Sequence, residues 1–259
     1  MSEVLVEKAG RTLAITINRP EARNSLTRTV LSLVTKAFSE ATSDRNVRCV
    51  VLTGSGGSFC AGADLRRTFE DDPNLMDHLD DYMNAFHGVI RAIVRCPKPT
   101  IASIDGAAVG FGADMALSCD LRVVSTRAYI QEKFVDIGLM PDGGGTFWLP
   151  RLLGTSRALK AILLADKLEA NVLDALGLVT SVVPPEELHA ATMALAQRIE
   201  AGPPLAFSRA KQAVYANLGD LEAALARERE GQLELLKSKD ALEGIMAWAQ
   251  KRPPNFTGE

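Results

Sequence analysis

Two segments rich in glycine and alanine carry the first chemical signal: Phe59-Cys60-Ala61-Gly62-Ala63-Asp64-Leu65 and Gly106-Ala107-Ala108-Val109-Gly110-Phe111-Gly112-Ala113-Asp114. Each follows a run with the character of a buried strand. Small residues at such turns let a backbone approach a ligand closely. Where a helix starts there, its first N–H groups lack partners and point outward. Two such ends aimed at one point make a donor pair for a developing oxyanion, which suits chemistry at an acyl carbonyl. Two aspartates accompany the segments. Asp114 lies about one turn into the helix that the second segment starts, and Asp142 lies in Gly138-Leu139-Met140-Pro141-Asp142-Gly143-Gly144-Gly145, a tightly turning stretch. Each has a general-base reading. Each also has a plainer one, local bonding to turn or helix N–H groups, which is the commoner use of aspartate.

Other chemistries fit less well. Gly54-Ser55-Gly56-Gly57-Ser58-Phe59 follows a strand but lacks the last glycine of G-x-G-x-x-G, and Met115 stands where the Gly110-Phe111-Gly112 run needs its third. Neither carries the G-K-[ST] of a phosphate-binding loop. No G-x-S-x-G elbow is present. His78, His87 and His189 have no metal-ligand spacing, and Cys49, Cys60, Cys96 and Cys119 are dispersed, which argues against a zinc site or a disulfide framework.

The elements that must position these residues are legible in outline. Residues 13–18, 47–53, 100–105 and 121–125 read as strands rich in branched apolar side chains. Thr27 can cap a helix with Val30, Leu31, Val34, Phe38 and Ala41 on one face. Leu75, Leu79, Met83, Phe86, Ile90 and Ile93 define a second amphipathic helix ended by Pro97 and Pro99, and residues 111–118 a short one. Strand, small-residue loop, helix, strand is the signature of parallel strands with right-handed crossovers. From Thr155 onward the pattern is helical: 157–164, 170–176, 186–199, 205–217, 221–237 and 242–250. Leu221, Ala224, Leu225, Glu228, Leu235 and Leu236 leave an incomplete apolar stripe, suited to a neighbouring subunit or to an ordinary surface. The expected division is a core over 1–195 and a helical oligomerisation region over 196–259.

Bulk properties set bounds. The 259 residues, 47% hydrophobic and 24% charged, suffice for a large core. A net charge of −3 with no basic run argues against nucleic acid. No apolar stretch is long enough to span a bilayer. The start, Met1-Ser2-Glu3-Val4, has no charged head followed by an apolar block. A reduced, cytoplasmic, metal-free protein is the expectation.

Taken together, Phe59 to Leu65, the strand Ile101-Ala102-Ser103-Ile104-Asp105-Gly106, and Ile137-Gly138-Leu139-Met140-Pro141-Asp142-Gly143-Gly144 resemble the enoyl-CoA hydratase/isomerase (crotonase) superfamily. So do Asn18-Arg19-Pro20-Glu21-Ala22-Arg23-Asn24-Ser25 and Lys251-Arg252-Pro253-Pro254-Asn255-Phe256. The resemblance runs along nearly the whole chain in order. It implies an α/β fold, a crotonase-like spiral of ββα units with a helical C-terminal region, assembled as homotrimers or as hexamers that are dimers of trimers. It also implies acyl-CoA thioester substrates, no metal or redox cofactor, and an enolate held by the N–H groups of Ala63 and Phe111. The family usually has glycine at the latter place, but a phenylalanine N–H serves if its φ is negative. Coenzyme A and acyl contacts are implied for Ala22, Arg23, Ala61, Gly62, Asp64, Leu65, Arg66, Gly110 and Phe134, with Arg23 and Arg66 as phosphate partners.

The acid/base positions bear on the reaction. The family's hydratases use two glutamates, matching Asp114 and Phe134 here. An aspartate reaches less far, and a phenylalanine cannot hold a water. The run from Leu139 to Arg151 resembles the phenylacetate-pathway ring-epoxide isomerases and Δ3,Δ2-enoyl-CoA isomerases. The implied reading is an isomerase in which Asp142 shuttles a proton and Asp114 assists or orients. Its rivals are Asp114 as the base, a hydratase working through both aspartates, and a CoA-ester-binding homologue without turnover.

Overall fold

A computed structural model describes residues 2–257. The chain opens with an antiparallel hairpin of β1 (Val4–Ala9) and β2 (Thr12–Ile17), turned at Gly10 and Arg11. Helix α1 (Arg28–Ser43) starts on the Thr27 side chain, which accepts from Val30 N–H at 3.2 Å, and buries the face expected for it. Then come β3 (Cys49–Gly54), α2 (Leu65–Asp71), α3 (Leu79–Arg95), β4 (Thr100–Ile104), β5 (Ala107–Val109), α4 (Phe111–Ser118), β6 (Leu121–Ser125) and β7 (Tyr129–Gln131). The remainder holds α5 (Gly145–Leu153), α6 (Thr155–Leu163), β8 (Leu168–Glu169), α7 (Ala170–Ala175), β9 (Ser181–Val183), α8 (Leu188–Glu200), α9 (Pro204–Asn217), α10 (Leu221–Leu235) and α11 (Lys239–Ala249).

The main sheet has the order β1-β2-β3-β4-β6-β9, parallel from β2 onward. Both faces are covered, and side-chain alternation sorts them. Cys49, Val51, Ile101 and Val123 pack on Leu188 and Ala196 of α8, while Val50, Leu52, Ala102, Ile104 and Val124 join the larger core with α1 and α3. A second sheet, β5-β7-β8, stands beside the first, and a Cys60–Ala108 bridge ties the loop after β3 to β5. This is the expected α/β spiral with a helical C-terminal region.

Several elements differ from expectation. Residues 75–78 form a separate 3-10 turn ahead of α3. Pro150 lies inside α5, a helix that sequence punctuation hides. The short strands β5, β7 and β8 are two or three residues long and carry no alternation to read. Helix α8, by contrast, matches the expected helix over 186–199, with Leu195, Ala196 and Ile199 all packed on the sheet. The incomplete stripe of α10 faces inward: its buried residues are Ala224, Leu225, Glu228 and Gln232, and the helix packs on α3 and α5. Helix α9 is the most exposed of the C-terminal elements, with Leu205 and Val214 open to solvent, and it is anchored by the Lys211 and Tyr215 side chains, which donate to Asp120 at 2.8 and 2.7 Å.

Candidate active site

The two small-residue loops meet. Gly62, at φ +87°, lies so close to the other loop that an added Cβ would stand 2.9 Å from the Val109 carbonyl oxygen and 3.6 Å from the Phe111 nitrogen. Leu26 bridges the strand-like segment around Ala63, donating to Gly62 O at 2.8 Å and accepting from Asp64 N–H at 3.0 Å. That pairing turns the Ala63 N–H away from Leu26. At the other loop Gly110 takes φ +55°, ψ −126°, a conformation open to glycine, and Phe111 then starts α4 with negative φ. Neither the Ala63 nor the Phe111 N–H has an acceptor among the described residues, and both residues line one cavity of about 570 Å³.

Apolar and aromatic side chains surround that space. The Phe111 ring meets Phe86 edge-on at 4.6 Å, and Phe86 meets Tyr82 at 4.8 Å, which forms a wall on α3. Phe134 lies 3.8 Å from where a Cβ on Gly110 would sit, so an aromatic edge stands beside the second loop. Ala61, Gly62, Leu65 and Gly110 also line the cavity, and Arg252, Pro254 and Phe256 bring the C-terminal run to it.

The remaining residues expected to contact substrate lie outside the lining. Asp64 caps α2 by accepting from Arg67 N–H at 3.1 Å, and it receives Arg19 Nη2 at 2.9 Å and Ser25 Oγ at 3.0 Å. Arg23 and its neighbour Asn24 both have positive φ, and the Arg23 carbonyl accepts from Ala61 N–H at 3.0 Å. The buried Asn24 amide holds Ser55 O and Ser58 O at 2.8 and 2.7 Å. The Asn18 to Ser25 motif, with Ala22 in it, therefore braces the first loop through its backbone. The side chains of Arg23 and Arg66 are exposed, and that of Arg66 lies 3.8 Å from Glu70.

Four carboxyl groups are buried together: Asp114, Glu132, Asp142 and Glu228. The sequence does not mark Glu132 or Glu228 as a site residue; Glu228 figures there only as a member of the incomplete stripe of α10. Asp114 accepts from Gly143 N–H at 3.0 Å on Oδ2, while its Oδ1 and both oxygens of Glu132 have no described partner. Burial, then the charges of Glu132, Glu228 and Asp142, hold the Asp114 carboxyl well above the usual range, and burial does the same to Glu132. Glu228 accepts from Gly144 N–H at 2.7 Å and from Thr146 N–H at 2.8 Å, so it ties α10 to the start of α5.

Asp142 is not the helix cap that a turn aspartate suggests, because Gly144 occupies the N-cap position of α5. Its Oδ2 accepts from Gln232 Nε2 at 2.8 Å, and its Oδ1 is buried without a described partner. Of the four buried carboxyl groups Asp142 alone lines the cavity. Burial pushes it up to about 7, helped by Glu228 and opposed by the Gln232 amide. His87, buried on α3, meets the Asp142 carbonyl oxygen through Nε2 at 2.9 Å. Burial lowers its pKa to about 4, so the ring is neutral, and a carbonyl acceptor requires Nε2 to carry the hydrogen. A carboxyl group near neutral pKa beside an apolar cavity and two free N–H donors can take up and return a proton. Among the described residues no His, Cys, Asp and Glu group is arranged to hold a metal ion, and no helix is long and apolar enough to cross a membrane.

Known proteins match this chain over its length. The family model described as enoyl-CoA hydratase/isomerase matches residues 7–259. A probable enoyl-CoA hydratase of Rhodobacter capsulatus is 39% identical over 94% of this chain and 93% of its own. A 1,2-epoxyphenylacetyl-CoA isomerase of Escherichia coli is 34% identical over 98% and 97%. The crystal structure of an enoyl-CoA hydratase from Mycobacterium avium subsp. paratuberculosis superposes with a TM-score of 0.90 at 36% identity, covering 99% of each chain. With the fold and the paired loops, these matches show that the chain belongs to the enoyl-CoA hydratase/isomerase (crotonase) family of enzymes acting on CoA esters.

Proposed function

We propose that the protein is an acyl-CoA isomerase that shifts a double bond, or rearranges an unsaturated acyl group, through a thioester enolate. The observation that carries this reading is the placement of Asp142: among the described residues it is the one buried carboxyl group lining the cavity that Ala63 and Phe111, with their unpaired N–H groups, also line. The thioester oxygen of a 3-enoyl-CoA accepts from those two donors, each worth about 3–4 kcal/mol to the charged intermediate. Asp142 removes a proton from C2, and the electron pair spreads over the thioester oxygen, C2 and C4. The same carboxylic acid returns the proton at C4, which leaves the double bond between C2 and C3. Nothing is gained or lost overall, so one base suffices. Asp114 stands behind the Asp142–Gly143 peptide and fixes it through Gly143 N–H.

Hydration needs a second group to hold the water. Phe134 occupies the place where the family's hydratases carry that glutamate, and Asp114 lies outside the cavity lining. Conversion of a 3-enoyl-CoA to its 2-enoyl isomer, measured beside hydration of crotonyl-CoA, tests the proposal. The expected result is isomerisation faster than hydration. Hydration as the faster reaction identifies a hydratase, and tight binding with neither reaction identifies a CoA-ester-binding homologue. Leu159, Leu163 and Leu164, all exposed near the end of α6, support assembly as a homotrimer or hexamer.

A further inference from the structure

Helix α10 grips the Asp142 loop at alternate residues. Gln232 Oε1 accepts from Met140 N–H at 3.1 Å, Gln232 Nε2 donates to Asp142 Oδ2 at 2.8 Å, and Glu228 receives Gly144 and Thr146. Both side chains are buried, one turn apart on the same helix face. A main-chain N–H can only donate, so the Met140 contact fixes which end of the Gln232 amide faces Asp142. That end is the NH2 group, which has no lone pair to offer.

We propose that Gln232 is a positioning residue that decides which oxygen of Asp142 handles the transferred proton. A proton on Oδ2 would be directed at another donor, whereas Oδ1 is buried, has no described partner and belongs to the residue that lines the cavity. The proton therefore rides on Oδ1. His87 Nε2–H on the Asp142 carbonyl oxygen and Asp114 on Gly143 N–H anchor the main chain on either side, so the carboxyl group has little freedom to exchange its oxygens. The titratable groups facing it are Glu228 from α10, Asp114 from α4, Glu132 after β7, and Tyr82 and His87 from α3. The inference rests on the isomerase reading for its kinetic consequence, and its effect on the titration of Asp142 is separable from turnover.

Two variants test it. Gln232→Met keeps the length and removes both hydrogen bonds. Gln232→Glu keeps an acceptor for Met140 N–H and regains a donor to Asp142 when protonated. The readouts are the pH dependence of kcat for 3-enoyl-CoA isomerisation and the Asp142 titration followed by 13C NMR in the free protein with labelled aspartate. Loss of one hydrogen bond to the charged form moves the acid limb and the NMR midpoint of Gln232→Met up by about one to two pH units, with KM nearly unchanged. Gln232→Glu recovers activity while the pair holds one proton and loses it again at higher pH, which adds an alkaline limb. A Gln232→Met protein that is folded and keeps the wild-type midpoint overturns the inference. If that variant does not fold, a Gln232→Glu profile without the alkaline limb overturns it. If the wild type does not isomerise a 3-enoyl-CoA, the isomerase reading falls, and if Asp142→Asn keeps full isomerase activity, Asp142 as the base falls; in either case the NMR midpoints still decide whether Gln232 sets the titration of Asp142.

Discussion

Asp142→Asn removes a carboxyl group that the folded chain holds at about 7 against an ordinary value of 3.8, so the substitution alters stability as well as chemistry. A folded pKa above the unfolded one means that the native state holds the proton more tightly. The associated stability is fully present below 3.8 and is lost as pH rises through 7. Working the linkage through these two values, ionising Asp142 costs the native protein about 2–3 kcal/mol more at pH 8 than at pH 5. The causes are burial first and the charge of Glu228 second, with the Gln232 amide offsetting part of both. Asparagine has nearly the same volume and still offers an oxygen to Gln232, so pH-independent effects cancel when one variant is compared at two pH values. Urea unfolding of wild type and Asp142→Asn at both pH values is the assay. The variant should gain about 2–3 kcal/mol relative to wild type between pH 5 and pH 8. A difference between the two proteins that stays constant across that range refutes the reasoning.

Phe111→Pro and Phe111→Ala both remove a buried ring, yet only proline removes the N–H. At the first position of α4 proline is sterically acceptable, so kcat of the proline variant should fall about 10²–10³-fold below that of the alanine variant, measured by isomerisation. In Gly143→Ala the new Cβ meets Asp114 Cβ, Asp114 Oδ2 and the Phe111 ring, each at 2.7 Å. It should destabilise the fold by about 1–3 kcal/mol and lower kcat by displacing Asp142, which thermal unfolding and kinetics check together. The four cysteines are free and buried, and burial pushes the thiols of Cys49, Cys60 and Cys119 up to about 12. A disulfide reagent should therefore react slowly with native protein and with all four thiols after unfolding.

Periodicity reached the large elements because burial forces it on the sequence. The α1 stripe and the central strands β3, β4 and β6 must present apolar faces at fixed spacing. It failed where tertiary contacts, rather than pattern, make the element. Helix α5 contains Pro150, and β8 has two residues held by pairing with β7. In the site, the two loops and both aspartates were legible because backbone approach demands glycine and few other residues tolerate those turns. Glu132, Glu228, Gln232 and His87 were not, since nothing local distinguishes a buried polar side chain from a surface one. One signal was present for two of them. The stripe of α10 is incomplete in apolar residues because Glu228 and Gln232 occupy its inward face, four residues apart. An interrupted stripe on an otherwise buried helix marks polar groups turned toward a site as readily as it marks an interface. Arg23, Asp64 and Arg66 show the converse, since their motif positions suggested ligand contact while Asp64 and the Arg23 main chain brace the loop.

The central claim is that Asp142 carries a proton from one carbon of an acyl-CoA to another while Ala63 and Phe111 hold the thioester oxygen. Turnover of a 3-enoyl-CoA in deuterated water, followed by NMR for the position of the double bond and of any deuterium, measures this directly in wild type, Asp142→Asn and Asp114→Asn. The account predicts 2-enoyl product from wild type, both migration and exchange abolished in Asp142→Asn, and partial activity in Asp114→Asn. Undiminished migration in Asp142→Asn, with loss in Asp114→Asn, would contradict it.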